Sequence, residues 1–413
     1  MVWLHGGGYF SGSSLESPVY DGSTLSRRGD VIVVSINHRL NVLGFLDLSA
    51  YGQAYKSSGN AGMLDAVAAL RWVRDNIAAF GGDPSNVTIF GQSGGGGKVA
   101  TLMAAPSAHG LFHKAIIQSG MMGPPGGREK SQDVTRRVAE LTFRNAGLAN
   151  GDVKRLQQVS YDVLSAASSK ALSQVSNELF PAAPGAPLGF PRVNWAPVVD
   201  GDFLPEESFG RSAPAISAGV PLLIGSTLNE FARLPSPDTQ GREHWTAMEV
   251  NAFLARRYGA RAAAFAAAYR QAYPLLAPRE WPTIDTIARA GALRAATLKA
   301  RQPAPVYNYL FTWQSPILDG FWGAGHSMDL TFTFGNAQLG EQATGAGPEV
   351  ERLADRMSRA WIAFARTGNP NTPTLPHWPT FTSVHPATMI LDNQPVVRVA
   401  HDKALLALSS PQR

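Results

Sequence analysis

Apolar residues fall along this chain in short continuous runs separated by longer stretches of helical spacing. Met1–Leu4, Val31–Ile36, Val87–Phe90, Ala115–Gln118, Val220–Gly225 and Val306–Trp313 are rich in branched and aromatic residues. Their length, roughly four to eight residues, is that of strands buried on both faces. Met63–Phe80 and Met357–Arg366 carry apolar residues at helical spacing. Strand and helix alternate, which predicts an α/β fold with a mostly parallel, doubly wound sheet in a single domain over residues 1–413. Two segments exceed simple crossovers. Residues 121–218 and 233–305 are alanine-rich and helical in pattern, with Pro/Gly breaks over Pro181–Pro191. Both are expected to be helical insertions capping the sheet. No internal repeat is visible.

Composition narrows the class. With 44% hydrophobic and 16% charged residues, 413 residues can bury a large core. The formal charge of +5 is not gathered into Lys/Arg clusters interleaved with aromatics, which argues against nucleic-acid binding. There is no cysteine, hence no disulfide, thiolate metal site or Cys nucleophile. No apolar run approaches the ~18 residues that span a bilayer. Met1–Gly8 does not read as a signal peptide. The compartment stays open: cytoplasmic if the start is genuine, secreted or periplasmic if an upstream leader was lost.

The chemistry starts at Gly91-Gln92-Ser93-Gly94-Gly95, between the run Val87–Phe90 and a helical stretch over Gly96–Ala104. Gly-x-Ser-x-Gly between strand and helix is a nucleophile elbow. The turn holds its serine in a strained conformation, and glycine two residues either side avoids a Cβ clash. Gly97-Lys98 resembles the end of a phosphate-binding loop, but that loop needs Gly at Gln92 and Ser or Thr at Val99, so it fails twice.

A serine nucleophile needs a base, an orienting acid and an oxyanion site, with chain order Ser, acid, His on this fold. That order reduces nine histidines to His244, His326, His377, His385 and His401. His326 lies in Gly323-Ala324-Gly325-His326-Ser327, where glycines leave room for an imidazole to reach Ser93. Glu230 follows the run Val220–Gly225 at the correct sheet edge; Asp200, Asp202 and Asp319 are its rivals. His5-Gly6-Gly7-Gly8 directly follows Met1–Leu4, as an oxyanion loop would. The expected donors are the N–H groups of Gly7, Gly8 and Gly94. A dinucleotide motif is excluded because Ser11 stands where a third glycine is required. Tyr9, Phe10 and Phe321 are candidates to line the gorge.

These stretches, with Asn37–Leu40, Gly59–Asp65, Phe80–Pro84, Gln118–Gly120 and Gly368–Pro370, make the chain resemble the type-B carboxylesterases, which include the cholinesterases. The resemblance implies an α/β-hydrolase fold and a Ser93–Glu230–His326 triad. It implies hydrolysis of small-molecule carboxylic esters through an acyl-enzyme, with no cofactor or metal. It also implies that Ser119 hydrogen-bonds beside the triad, as Gln92 does by position, and that Arg39 and Asp65 form a structural ion pair. The alternatives are a carbamate or amide hydrolase with the same triad, or an inactive truncated or adhesion-type member.

Three departures matter. Gln92 and Gly94 stand where the family usually has Glu and Ala, which weakens the case for a cationic substrate and loosens the start of the helix. Members also carry roughly a hundred residues before the oxyanion strand; without these first antiparallel strands Val31–Ile36 becomes a sheet edge, an aggregation liability. The expectation is therefore a native start upstream, against a shortened enzyme whose insertions cover the gap.

Overall fold

The computed structural model describes residues 1–122, 130–181, 193–234 and 236–409. Nearly all of Pro181–Pro191 lies outside them. The main strands are β1 (Val2–Leu4), β2 (Val34–Ile36), β3 (Thr88–Gln92) and β4 (Lys114–Gln118). Two short strands follow, β5 (Lys130–Ser131) and β6 (Val198–Val199), which pair only with each other. Then come β7 (Leu222–Thr227), β8 (Val306–Phe311), β9 (Ala387–Leu391) and β10 (Val396–Val399). The eight-stranded sheet has the order β10-β9-β8-β7-β4-β3-β1-β2. Every pairing is parallel except β9 with β10, which closes the far edge as a hairpin.

Alternate residues of each central strand feed two cores, as the two-residue period of a strand requires. Val2, Leu4, Ile89, Ala115, Ile117, Leu222 and Ile224 face one layer, with helices Ala61–Asn76, Gly94–Ala104 and Ile287–Lys299. Trp3, Phe90, Ile116 and Leu223 face the other, where helix Pro348–Thr367 inserts Leu353, Met357, Trp361 and Phe364.

Three details differ from the sequence reading. Val31–Val33 are not part of β2, which spans only Val34–Ile36 and forms an edge of the sheet. Residues 121–218 contribute helices Gln132–Asn145 and Tyr161–Leu179, but also the paired strands β5 and β6. Residues 233–305 are not wholly an insertion. Their last helix, Ile287–Lys299, is the β7–β8 crossover and packs Ala292, Ala295 and Ala296 onto the sheet. Alanine allows that close approach, so its prevalence here serves packing onto the sheet rather than a cap.

Candidate active site

The C-terminal ends of β1, β3, β7 and β8 bring the sequence-selected residues together. Ser93 follows β3 with φ 57° and ψ −125°, a left-handed conformation a β-carbon disfavours. Its N–H donates to Gln118 O at 2.8 Å, tying the turn to β4. A Cβ on Gly91 would lie 2.5 Å from the carbonyl carbon of Gly95, so the two glycines do nearly touch. A Cβ on Gly95 would instead overlap the carbonyl oxygen of Leu4 in β1. The elbow is squeezed by the neighbouring strand as well as by itself.

The loop after β1 lies on the start of the elbow helix. Gly7 and Gly8 have φ of 77° and 62°. A Cβ on Gly94 would lie 2.5 Å from Gly8 N, so glycine at this position lets the two backbones meet. This is the physical consequence of the departure at Gly94, rather than a loosened helix. Among the described residues the N–H groups of Gly7 and Gly8 donate to no protein acceptor. Gly94, as the first helical residue, has no intrahelical acceptor either.

Glu230 follows β7 at φ 36° and is fully buried as a side chain. Its Oε1 accepts the Thr227 N–H at 2.8 Å, and its Oε2 pairs with Nδ1 of His326. The loops carrying the two residues are joined by backbone. His326 N–H donates to Glu230 O at 3.0 Å and Asn229 N–H to Ala324 O at 3.0 Å. Asn229 Oδ1 accepts from Ala324 N–H at 2.8 Å, while its amide donates to Thr283 O at 2.9 Å.

The rivals lie elsewhere. Asp200 accepts from Asn60, Asp202 pairs with Lys56 and Asp319 is exposed. His244, His377 and His385 are exposed, and His401 packs edge-on against Tyr273.

Two expectations need correction. Ser93 makes no side-chain hydrogen bond among the described residues; Gln92 Nε2 approaches His326 Nε2 at 3.2 Å instead. Ser327 Oγ holds Gln92 Oε1 at 3.0 Å, which aims the amide's donor end at the ring. The Gln92 amide thus lies against the imidazole, within reach of Nδ1 at 3.5 Å as well as of Nε2. Among the described residues Ser119 Oγ is buried without a hydrogen-bond partner, and Ser119 has a positive φ of 49° just past the end of β4. Gln118 serves the site's floor in its place. It donates to Asp329 Oδ2 at 2.9 Å, and Tyr309 OH donates to the same oxygen at 2.8 Å.

Two carboxylates within the field of Glu230, the buried Asp329 and the half-buried Asp285, were missed from sequence. Burial, and next to it the charge of Glu230, pushes Asp285 up to about 7. Burial pushes Asp329 up to about 6, with Glu230 again adding to the rise. No signal in the sequence separates them from loop acids.

The cleft over Ser93 has a volume of about 740 Å³. Phe10, Leu172, Val193, Trp195 and Phe231 form its apolar wall, and Phe231 lies 4.1 Å from the His326 ring, centroid to centroid. Of the expected gorge aromatics only Phe10 lines it. Tyr9 is buried edge-on against Phe45, and Phe321 borders a different cleft.

The carboxylesterase family model matches residues 1–407. The chain belongs to the carboxylesterase family. It is 36% identical over 400 residues to para-nitrobenzyl esterase of Bacillus subtilis (strain 168), covering 95% of this chain and 76% of that protein. It is 34% identical over 421 residues to phenmedipham hydrolase of Pseudarthrobacter oxydans, covering 98% of this chain and 77% of that protein. Among solved structures, an esterase from Clostridium hathewayi that hydrolyses aliphatic aromatic polyesters superposes with a TM-score of 0.85. The two are 39% identical, with 99% of this chain and 78% of that one covered. This carboxylesterase is a carboxylic ester hydrolase on an α/β-hydrolase fold. No described helix is long and apolar enough to cross a membrane.

Proposed function

We propose that Ser93 is the nucleophile of this esterase, His326 its general base and acid, and Glu230 the carboxylate that orients His326. The observation that carries the reading is convergence. The Glu230–His326 pair, a serine at positive φ and the free N–H groups of Gly7 and Gly8 border one apolar cleft. Substrate binding brings Ser93 Oγ against His326 Nε2, since catalytic hydrogen bonds commonly tighten only in the complex. Ser93 Oγ then bonds to the ester carbonyl carbon and its proton passes to Nε2. The carbonyl oxygen becomes an oxyanion facing Gly7, Gly8 and Gly94. Collapse releases the alcohol, which takes the proton from Nε2, and leaves the acyl-enzyme. Water repeats the sequence and releases the acid.

The buried negative charge of Glu230 favours the imidazolium formed in each step. The aromatic and aliphatic wall supports uncharged esters as substrates, with room for an aryl group beside Trp195 and Phe231. Among the described residues the carboxylate on the rim is that of Glu16, which is engaged by Tyr20 OH at 2.8 Å and Ser13 N–H at 3.1 Å. Ser93→Ala is expected to abolish p-nitrophenyl ester turnover with an unchanged circular dichroism spectrum; turnover at the wild-type rate would refute the assignment.

A further inference from the structure

The elbow helix carries a residue that the triad and the oxyanion glycines leave unexplained. Lys98 is fully buried, and no carboxylate comes within ion-pair distance of it among the described residues. Its Nζ donates to His5 O at 2.9 Å and reaches Gly6 O at 3.4 Å. Both carbonyls belong to the loop that leads into Gly7 and Gly8. A buried ammonium without a counter-charge costs several kcal/mol, and a hydrocarbon chain of the same length would fill the space without that cost. Packing alone therefore does not account for a lysine here.

We propose that Lys98 is a positioning residue for the oxyanion loop: its ammonium draws the His5 and Gly6 carbonyls onto the elbow helix and so aims the Gly7 N–H at the substrate oxygen. The inference rests on the Ser93 reading above. The peptide unit supplies the mechanism. Gly6 C=O and Gly7 N–H belong to one rigid trans plane and point in opposite directions. Holding the carbonyl down toward Lys98 turns the N–H up, away from the helix. A cation on the carbonyl also polarises the amide and strengthens its N–H as a donor. Gly6 O is held from a second side by His5 Nδ1 at 2.9 Å. Gly94 completes the fit, because its missing Cβ lets the loop settle at this depth.

The rings around Lys98 bring no second positive charge. The His5 and His38 rings stack at 5.1 Å with an interplanar angle of 6°. Burial first, and the Lys98 charge second, hold them down to about 4 and about 3, so both stay neutral. The Tyr9 ring lies 6.0 Å from Nζ. Burial lowers Lys98 to about 7, while the field of Glu16 favours its charge.

The test compares Lys98→Met and Lys98→Gln with the wild type. Three readouts are taken: p-nitrophenyl ester kinetics, affinity for an aryl trifluoromethyl ketone, and thermal midpoint. The ketone forms a bond to Ser93 Oγ and carries an oxyanion, so it reports the loop directly. Wild-type binding of the ketone and its loss in Ser93→Ala are read first, because they stand or fall with the Ser93 assignment alone. For Lys98→Met the expectation is a fall in kcat of about tenfold or more with KM little changed. Ketone affinity should fall by the same factor, with the thermal midpoint unchanged or raised. Lys98→Gln, which keeps a donor but no charge, should lie between. Wild-type kcat and ketone affinity in a folded Lys98→Met would overturn the proposal. So would a change confined to KM, or activity lost in both variants only in step with their folding.

Discussion

At the scale of single residues, the site depends on atoms that are missing as much as on those present. Gly94 lacks the Cβ that would press on the Gly8 backbone. Gly94→Ala is therefore expected to push the loop outward, lowering kcat/KM at least about tenfold in a protein that still folds; steady-state kinetics matching wild type would show that the loop has room. Asp329 gives a second residue-scale prediction. Its folded pKa is about 6, above the ordinary carboxylate value of 3.8. The folded state thus holds this proton more tightly than the unfolded chain. The group's contribution to stability is fullest below the ordinary value and falls as pH rises toward 6. Asparagine mimics the protonated acid. Between pH 4 and 7, Asp329→Asn should gain on the wild type by ~1–3 kcal/mol in denaturant unfolding, whereas parallel pH profiles would contradict it. The triad candidates were legible because chain order and strand edges confine them. The roles of Lys98 and Asp329 were not, because spacing does not say which way a buried side chain points; Gln92 was placed beside the triad by position, but not its contact with the His326 ring.

At the scale of elements, the turn after β7 and the loop after β8 act as one unit. The Glu230–Gly325 bridge extends the pairing of β7 with β8 beyond the strand ends. Asn229 stitches that extension to Thr283 on the far side. Asn229→Ala leaves the Ala324 N–H and Thr283 carbonyl short of partners in a buried place, at a cost of about 1–3 kcal/mol. Glu230 and His326 would then lose registry, so kcat should fall more than the stability loss alone implies. Full activity in a destabilised variant would place the registry elsewhere. Period and run length located the buried strands β1, β3, β4, β7 and β8, since such strands are nearly continuous apolar runs, and part of the edge strand β2, but not β9, although it too is largely buried. They did not locate β10, whose Val-Val-Arg-Val is mostly exposed and pairs only with β9. They also misjudged Ile287–Lys299, where small residues serve close helix–sheet packing rather than a cap.

At the scale of the whole molecule, the sheet supplies the chemistry and the 121–218 segment helps to supply selectivity. Leu172, Val193 and Trp195 come to the cleft from far along the chain, so no local pattern could place them opposite Phe10 and Phe231. A nucleophile made on β3, a base and acid made after β8 and β7, and donors made after β1 must all assemble at once for Ser93 to react. Covalent capture reads that assembly in one step. The folded protein is treated with a fluorophosphonate probe, digested, and the adduct mapped by mass spectrometry, beside Ser93→Ala and His326→Ala. The account predicts one adduct, on Ser93, formed rapidly in the wild type, slowly in His326→Ala and not at all in Ser93→Ala. An adduct on another residue, or none on Ser93 in protein that still hydrolyses p-nitrophenyl esters, would contradict it.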